Sequence, residues 1–175
     1  MQVEWLRSNF ATSIMGENVY SFIGDYDSRA DAKNRVVLPS AFKREFEGQE
    51  SVRLVIRKDI FESCLNIYPY GVWEAMMADL RRRLNPYDRR HAQFMREQQR
   101  STCEASLDSN GRLLIPQRLL DLIGAGKELT LLGVDDHIEV WDKEAYAAQA
   151  MSGEDLGALA EDLFANGPDY SDKKG

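Results

Sequence analysis

Two nine-residue stretches carry the residue types that could do chemistry. They read DAKNRVVLP, from Asp31 to Pro39, and DSNGRLLIP, from Asp108 to Pro116. Each has an Asp, an Arg four positions on, three aliphatics and a Pro, and the copies start 77 residues apart. Such residues offer two chemistries. Asp31 and Asp108 could converge on a pseudo-two-fold axis as a carboxylate dyad sharing one proton, as in aspartic proteases. Alternatively, each Asp could orient its Arg, whose guanidinium fork matches phosphate oxygens or the two acceptors on guanine. The dyad reading has the wrong electrostatics. An Arg beside each carboxylate holds it ionised, whereas a shared proton needs one of them neutral. Neither stretch contains the Asp-Thr/Ser-Gly triplet of that enzyme class. His91 and His137, the only histidines, have no Ser or Cys partner in a nucleophilic arrangement, and Cys64 and Cys103 are the only thiols. So few soft ligands argue against a zinc site. No catalytic residue, metal or cofactor is expected.

What must position these residues is a turn. Asn110-Gly111 is a strong hairpin signal, because both residue types tolerate positive φ. Lys33-Asn34 fills the same place in the first copy, and Asn34 can still visit the left-handed region. Such turns set Asp31 beside Arg35 and Asp108 beside Arg112. A cross-strand pair of this kind contributes a few tenths to about 1 kcal/mol. The tips would turn Arg35, Arg112 and Lys33 outward, where phosphates or base edges could meet them. The aliphatic runs that follow, Val36–Leu38 and Leu113–Ile115, predict strands buried on both faces.

The repetition continues past each Pro. SAFKREFEG and QRLLDLIGAG are short amphipathic runs that end at Gly, a helix-terminating signal. Pro39 and Pro116 suit the start of a helix, where a missing N–H costs nothing. Two apolar runs and an aromatic-bearing helix follow in each copy, with Trp73 and Trp141 at matching places as core or subunit-interface packing. Each half thus reads strand, turn, strand, short helix, strand, strand, helix. The stretch between the halves predicts two helices broken before Pro86. Its arginines, Arg81–Arg83 with Arg89 and Arg90, read either as a phosphate track or as a solvated helix face. Residues 1–14 read as a leader, with Met15 an alternative start. Residues 15–69 form a first repeat, 70–100 the connecting helices, 101–150 a second repeat, and 151–175 an acidic helix and tail. Each half leaves apolar strands that need the other, so one pseudo-symmetric barrel is expected rather than two separable domains.

The net charge of −7 conceals an asymmetry. From Arg29 to Arg118 there are 17 Lys/Arg against 12 Asp/Glu, while the remainder holds 5 against 17. A polyanion-binding body with acidic flanks would have this distribution. No run of about 18 apolar residues exists to span a membrane. The first residues lack a secretory pattern, and two unpaired thiols fit a reducing cytoplasm.

The paired D-x-x-x-R motifs, each followed by three aliphatics and Pro, resemble the MraZ family of bacterial transcription regulators. So does LNIYPYGVWEAM, Leu65–Met76. The likeness spans roughly residues 20–149. That family is similar to AbrB-type swapped-hairpin DNA binders, with both half-domains fused in one chain. The resemblance therefore implies an α+β, β-rich fold: a pseudo-two-fold swapped-hairpin β-barrel with short helices. It implies a ring-shaped homo-oligomer, cytoplasmic and nucleoid-associated, bound to double-stranded promoter DNA with repeated boxes. It further implies repression of a division and cell-wall gene cluster that includes the regulator's own gene. Family DNA binding is attributed to the motif arginines, here Arg35 and Arg112. Lys33, Asn34, Asn110 and Gly111 would form the contacting tips, and Asp31 and Asp108 would orient the arginines. Asn34 stands where the family usually has Gly, which implies a slightly stiffer first tip. A protein-binding scaffold without a nucleic-acid role is the alternative from another class.

Overall fold

The computed structural model describes residues 20–166. The proposed leader and the last residues of the acidic tail lie outside this range.

Strands β1 (Asp25–Arg29) and β2 (Arg35–Val37) flank the first Asp–Arg turn, and β5 (Thr102–Ser106) and β6 (Arg112–Leu114) flank the second. Pro39 and Pro116 immediately precede the short helices α1 (Ser40–Lys43) and α4 (Gln117–Leu122). Strands β3 (Arg53–Lys58) and β4 (Leu65–Pro69) follow in the first half, and β7 (Glu128–Val134) and β8 (His137–Asp142) in the second. Helix α2 (Tyr70–Arg83) leads through Pro86 to α3 (Arg89–Arg100), whose first turn is capped by the Asp88 carboxylate. The second half ends in α5 (Lys143–Ala148) and α6 (Gly153–Ala165).

Six strands form one antiparallel sheet in the order β1-β7-β8-β4-β3-β5, and β2 pairs with β6 in a separate ribbon. The halves exchange strands. β1 of the first half pairs with β7 of the second, and β5 of the second pairs with β3 of the first. The order is unchanged when the halves are interchanged, so a pseudo-two-fold axis runs between β4 and β8. The registers obey it: Leu65 opposes Val140 and Ile67 opposes Ile138, about the central pair Asn66 and Glu139. In the ribbon the central pair is Val36 and Leu113.

The expected closed barrel is not formed. β1 and β5 are the two edges of the sheet, and no ladder joins them. The ribbon instead lies against one sheet face. Val36 and Leu113 reach the same core as Leu54, Ile56, Ile67, Leu129 and Val140, together with Phe42 and Leu119 from the short helices. Alternation along a strand sends the intervening residues to the opposite face. There Arg57 is buried beneath α2 and α3. Its Nη1 donates to Gln98 Oε1 at 3.2 Å and its Nη2 to the Tyr68 hydroxyl at 3.2 Å, and its Cζ lies 5.6 Å from the centre of the Trp73 ring.

Two further expectations need correction. The strands after the Asp–Arg turns are buried on one face only: Val37 is 51% exposed and Leu114 55%. A two-stranded ribbon with a core on one side leaves its other side to solvent, whatever the hydropathy of the run. Nor are Trp73 and Trp141 equivalent. Trp141 lies in β8 and Trp73 in α2, and the axis relates the pair Tyr68–Trp73 to the pair Trp141–Tyr146.

Candidate nucleic-acid interface

The two Asp–Arg turns have the same hydrogen bonding. Asn34 N donates to Asp31 O at 3.0 Å, and Gly111 N to Asp108 O at 3.0 Å. The residue closing each turn is left-handed, Asn34 at φ 60° and Gly111 at φ 69°. Asn34 thus takes the conformation that Gly111 takes without penalty, and its side chain is fixed there. Asn34 Nδ2 donates to Gln117 Oε1 at 3.0 Å, and Lys127 Nζ donates to Asn34 Oδ1 at 2.6 Å. Asn110, by contrast, is not among the residues with positive φ.

Each aspartate holds a turn and an arginine at once. Asp31 Oδ1 accepts from the backbone N of Arg35 and of Lys33, both at 2.9 Å, while Oδ2 accepts from Arg35 Nε at 2.7 Å. Asp108 does the same with the backbone N of Asn110 and Arg112 and with Arg112 Nε, at 2.9, 2.9 and 2.7 Å. The backbone N–H of Arg35, then its side chain, lowers the Asp31 carboxyl from 3.8 to about 2. The Arg112 backbone N–H lowers Asp108 in the same direction. Hydrogen bonds to the ionised form always act this way. The carboxylates lie at opposite ends of the ribbon, each saturated by its own turn. A dyad needs like charges about 3 Å apart, so the structure removes the hydrolase alternative.

The antiparallel register brings the two arginines together. Arg35 opposes Leu114 and Val37 opposes Arg112. Residues two apart on a strand share a face, as do directly opposed residues. The outward face of the ribbon is therefore a four-residue platform: two arginines on one diagonal, Val37 and Leu114 on the other. Diagonal neighbours have Cα atoms roughly 7–8 Å apart. Only Nε of each guanidinium is engaged by a described residue. Four N–H donors per arginine stay available at the outer ends. The arginine side chains are 33% and 28% exposed, held at their base and open at their ends.

Two cations at this site were not singled out from sequence. Lys127, from the second half, reaches the first turn, where it also donates to Asp31 O at 3.3 Å. Lys43, from the first half, lies over the second turn, its Cδ 2.5 Å from where a Cβ on Gly111 would stand. Each turn thus receives a lysine from the other half. Only the strand exchange makes these neighbours, so no local spacing could reveal them. Arg81–Arg83 belong to α2 and Arg89 and Arg90 to α3, on the far side of the sheet from the ribbon. Several are paired locally, Arg82 and Arg83 with Asp79 and Arg90 with Asp88. They do not extend the arginine platform. Cys64 is fully buried, and desolvation pushes its thiol up to about 12. No group of His, Cys, Asp and Glu among the described residues is arranged to hold a metal ion.

Two strand-exchanged repeats that place matched Asp–Arg turns on one outward ribbon define a pseudo-symmetric, β-rich α+β protein. Comparison with known proteins gives the family. The family model described as MraZ protein matches residues 21–95 and 100–165. A relative named transcriptional regulator MraZ, from Bacteroides thetaiotaomicron, is 37% identical over 143 residues, covering 82% of this chain and 92% of the relative. Relatives of the same name from Bacteroides fragilis and Clostridium acetobutylicum are 36% and 34% identical, covering 82% and 81% of this chain and 90% and 96% of their own. The chain belongs to the MraZ family.

Proposed function

We propose that this protein is a transcriptional regulator, not an enzyme, that binds double-stranded promoter DNA through the outward face of the β2–β6 ribbon. The observation that carries the reading is the pairing of Arg35 and Arg112 on one platform, each gripped at Nε by Asp31 or Asp108. A two-stranded ribbon fits a major groove, and an arginine fork matches the O6 and N7 of guanine. Lys33, Asn34, Asn110 and Gly111 at the turns, with Lys43 and Lys127, would meet the phosphate backbone. Asp31 and Asp108 would hold the arginines and stay off the DNA, since phosphate repels them. The pairing of β1 with β7 and β5 with β3 supports a swapped-hairpin architecture for repeats at 15–69 and 101–150, joined by helices at 70–100. We assign the operator as repeated boxes read by a homo-oligomeric ring. The regulated genes are a division and cell-wall cluster that includes the protein's own gene, acting in the cytoplasm at the nucleoid. No helix among the described residues is long and apolar enough to cross a membrane.

The test is a titration of the protein against its own upstream DNA at several salt concentrations. Tight binding that weakens steeply with salt, and far weaker binding to shuffled DNA, is expected. Equal binding to both DNAs would refute sequence-specific recognition. Failure to bind either would favour the scaffold reading.

A further inference from the structure

The arginine ribbon carries a second kind of group. Val37 and Leu114 occupy the same place in the two repeats, each two residues after its arginine, and both stand about half exposed. Their chain neighbours Val36, Leu38, Leu113 and Ile115 are all buried in the core. Alternation then fixes Val37 and Leu114 on the outward face, and the anchored neighbours keep them from turning inward. A lone exposed aliphatic needs no explanation. Two at matched positions, each directly opposite an arginine, call for one.

What could cover them is set by what surrounds them. Arg35 and Arg112 fill the other corners of the platform, and Lys127 and Lys43 stand at the two turns. The nearby carboxylates, Asp31 and Asp108, are each taken up by their own turn and arginine. The free charge on this face is therefore positive, and it selects a polyanion. Phosphate alone offers nothing to an aliphatic side chain. The major groove of DNA does, through the C5-methyl of thymine. Directly opposed residues lie roughly 4.5–5.5 Å apart, and successive bases about 3.4 Å apart along the helix axis. An aliphatic opposite an arginine thus meets a base pair one or two steps from the guanine that the arginine reads.

We propose that Val37 and Leu114 are specificity-determining residues that pack against thymine methyl groups on the floor of the major groove. This rests on the proposed DNA-binding face and adds a base feature that the arginines cannot read. The two forks alone accept any sequence that offers guanine O6 and N7 at the right spacing. The aliphatic pair discriminates at the neighbouring positions, where cytosine lacks the methyl and presents an amine instead.

The test compares two duplexes: the protein's own upstream DNA, and the same sequence with deoxyuridine in place of every thymine. The exchange removes the methyls and keeps the hydrogen-bonding edges. Anisotropy titrations use full-length wild type, Val37→Ala, Leu114→Ala and the double variant, with circular dichroism and light scattering in parallel. Wild type should bind the deoxyuridine duplex about fourfold more weakly for each methyl contacted, the effect of returning one such carbon to water. Each single variant should lose part of that difference and the double variant most of it. Wild type that binds both duplexes alike, yet far more tightly than shuffled DNA, would overturn the methyl contact and leave the proposed function standing; this comparison requires no variant to fold. Equal binding to native and shuffled DNA would overturn both. A deoxyuridine effect unchanged in the folded double variant would place the methyl reading on other residues and refute the proposal. So would a fall in assembled mass in that variant without a change in the deoxyuridine effect, which would mean that Val37 and Leu114 face another copy.

Discussion

At the residue scale, the central device is a carboxylate with three donors to accept. Asp31 fixes the turn through Oδ1 and the arginine through Oδ2, so the order of the turn and the aim of the guanidinium depend on one ionised group. A depressed carboxyl contributes stability above its ordinary value and loses it as pH falls through the folded value. For Asp31 that window runs from 3.8 down to about 2. The amide resonances of Lys33 and Arg35 should therefore hold their native positions at pH 4 and move only as pH approaches 2. A midpoint near 4 would show that the carboxylate is not gripped. Asp31→Ala should weaken DNA binding by releasing the turn and Arg35, and anisotropy with folding checked by circular dichroism would measure this. The Asp–Arg pairing was legible from spacing alone, because a turn of this length leaves few other partners. The lysines from the other half were not, since 93 residues separate Lys127 from Asn34.

At the element scale, the ribbon works because one face is anchored. Val36 and Leu113 sit at its centre on the pseudo-two-fold axis, almost fully buried. Leu113→Ala should cost about 2–5 kcal/mol, the range for truncating a buried leucine, read from urea unfolding. Gly133 bears on the neighbouring strand exchange. A Cβ there would stand 2.5 Å from the backbone carbonyl carbon of Phe22, which a side-chain rotation cannot relieve. Gly133→Ala should therefore destabilise the fold, whereas Gly71→Ala, with open space around the added carbon, should be tolerated. Thermal unfolding of the two variants makes the comparison. The order of strands and short helices was readable from the repeated nine-residue stretch, the helix-starting prolines and the terminating glycines. The one-sided burial of β2 and β6 was not, because three consecutive aliphatics look alike whether the middle one or all of them face the core.

At the scale of the whole molecule, the repeat announced two-fold symmetry, and the strand exchange predicts that neither half folds alone. β1 and β5 each complete the sheet of the other half, so limited proteolysis in the α2–α3 connection should not yield two halves that each remain folded. Sequence could not show whether the sheet closes, since closure depends on pairing between the distant edges β1 and β5. Symmetry also explains why two arginines suffice for a platform: each half supplies one, and the ribbon register sets them diagonally. If copies assemble, such platforms meet successive boxes at high effective concentration. Moving the boxes out of phase should then abolish tight binding with every box intact, as a gel shift would reveal. The most direct test of the central claim compares wild type, Arg35→Ala and Arg112→Ala in an anisotropy titration with promoter DNA, with folding and assembled mass checked in parallel. Each variant should stay folded and lose roughly 1–3 kcal/mol of binding per engaged subunit. Variants that stay folded and bind as tightly as wild type would contradict the arginine ribbon as the DNA-reading surface.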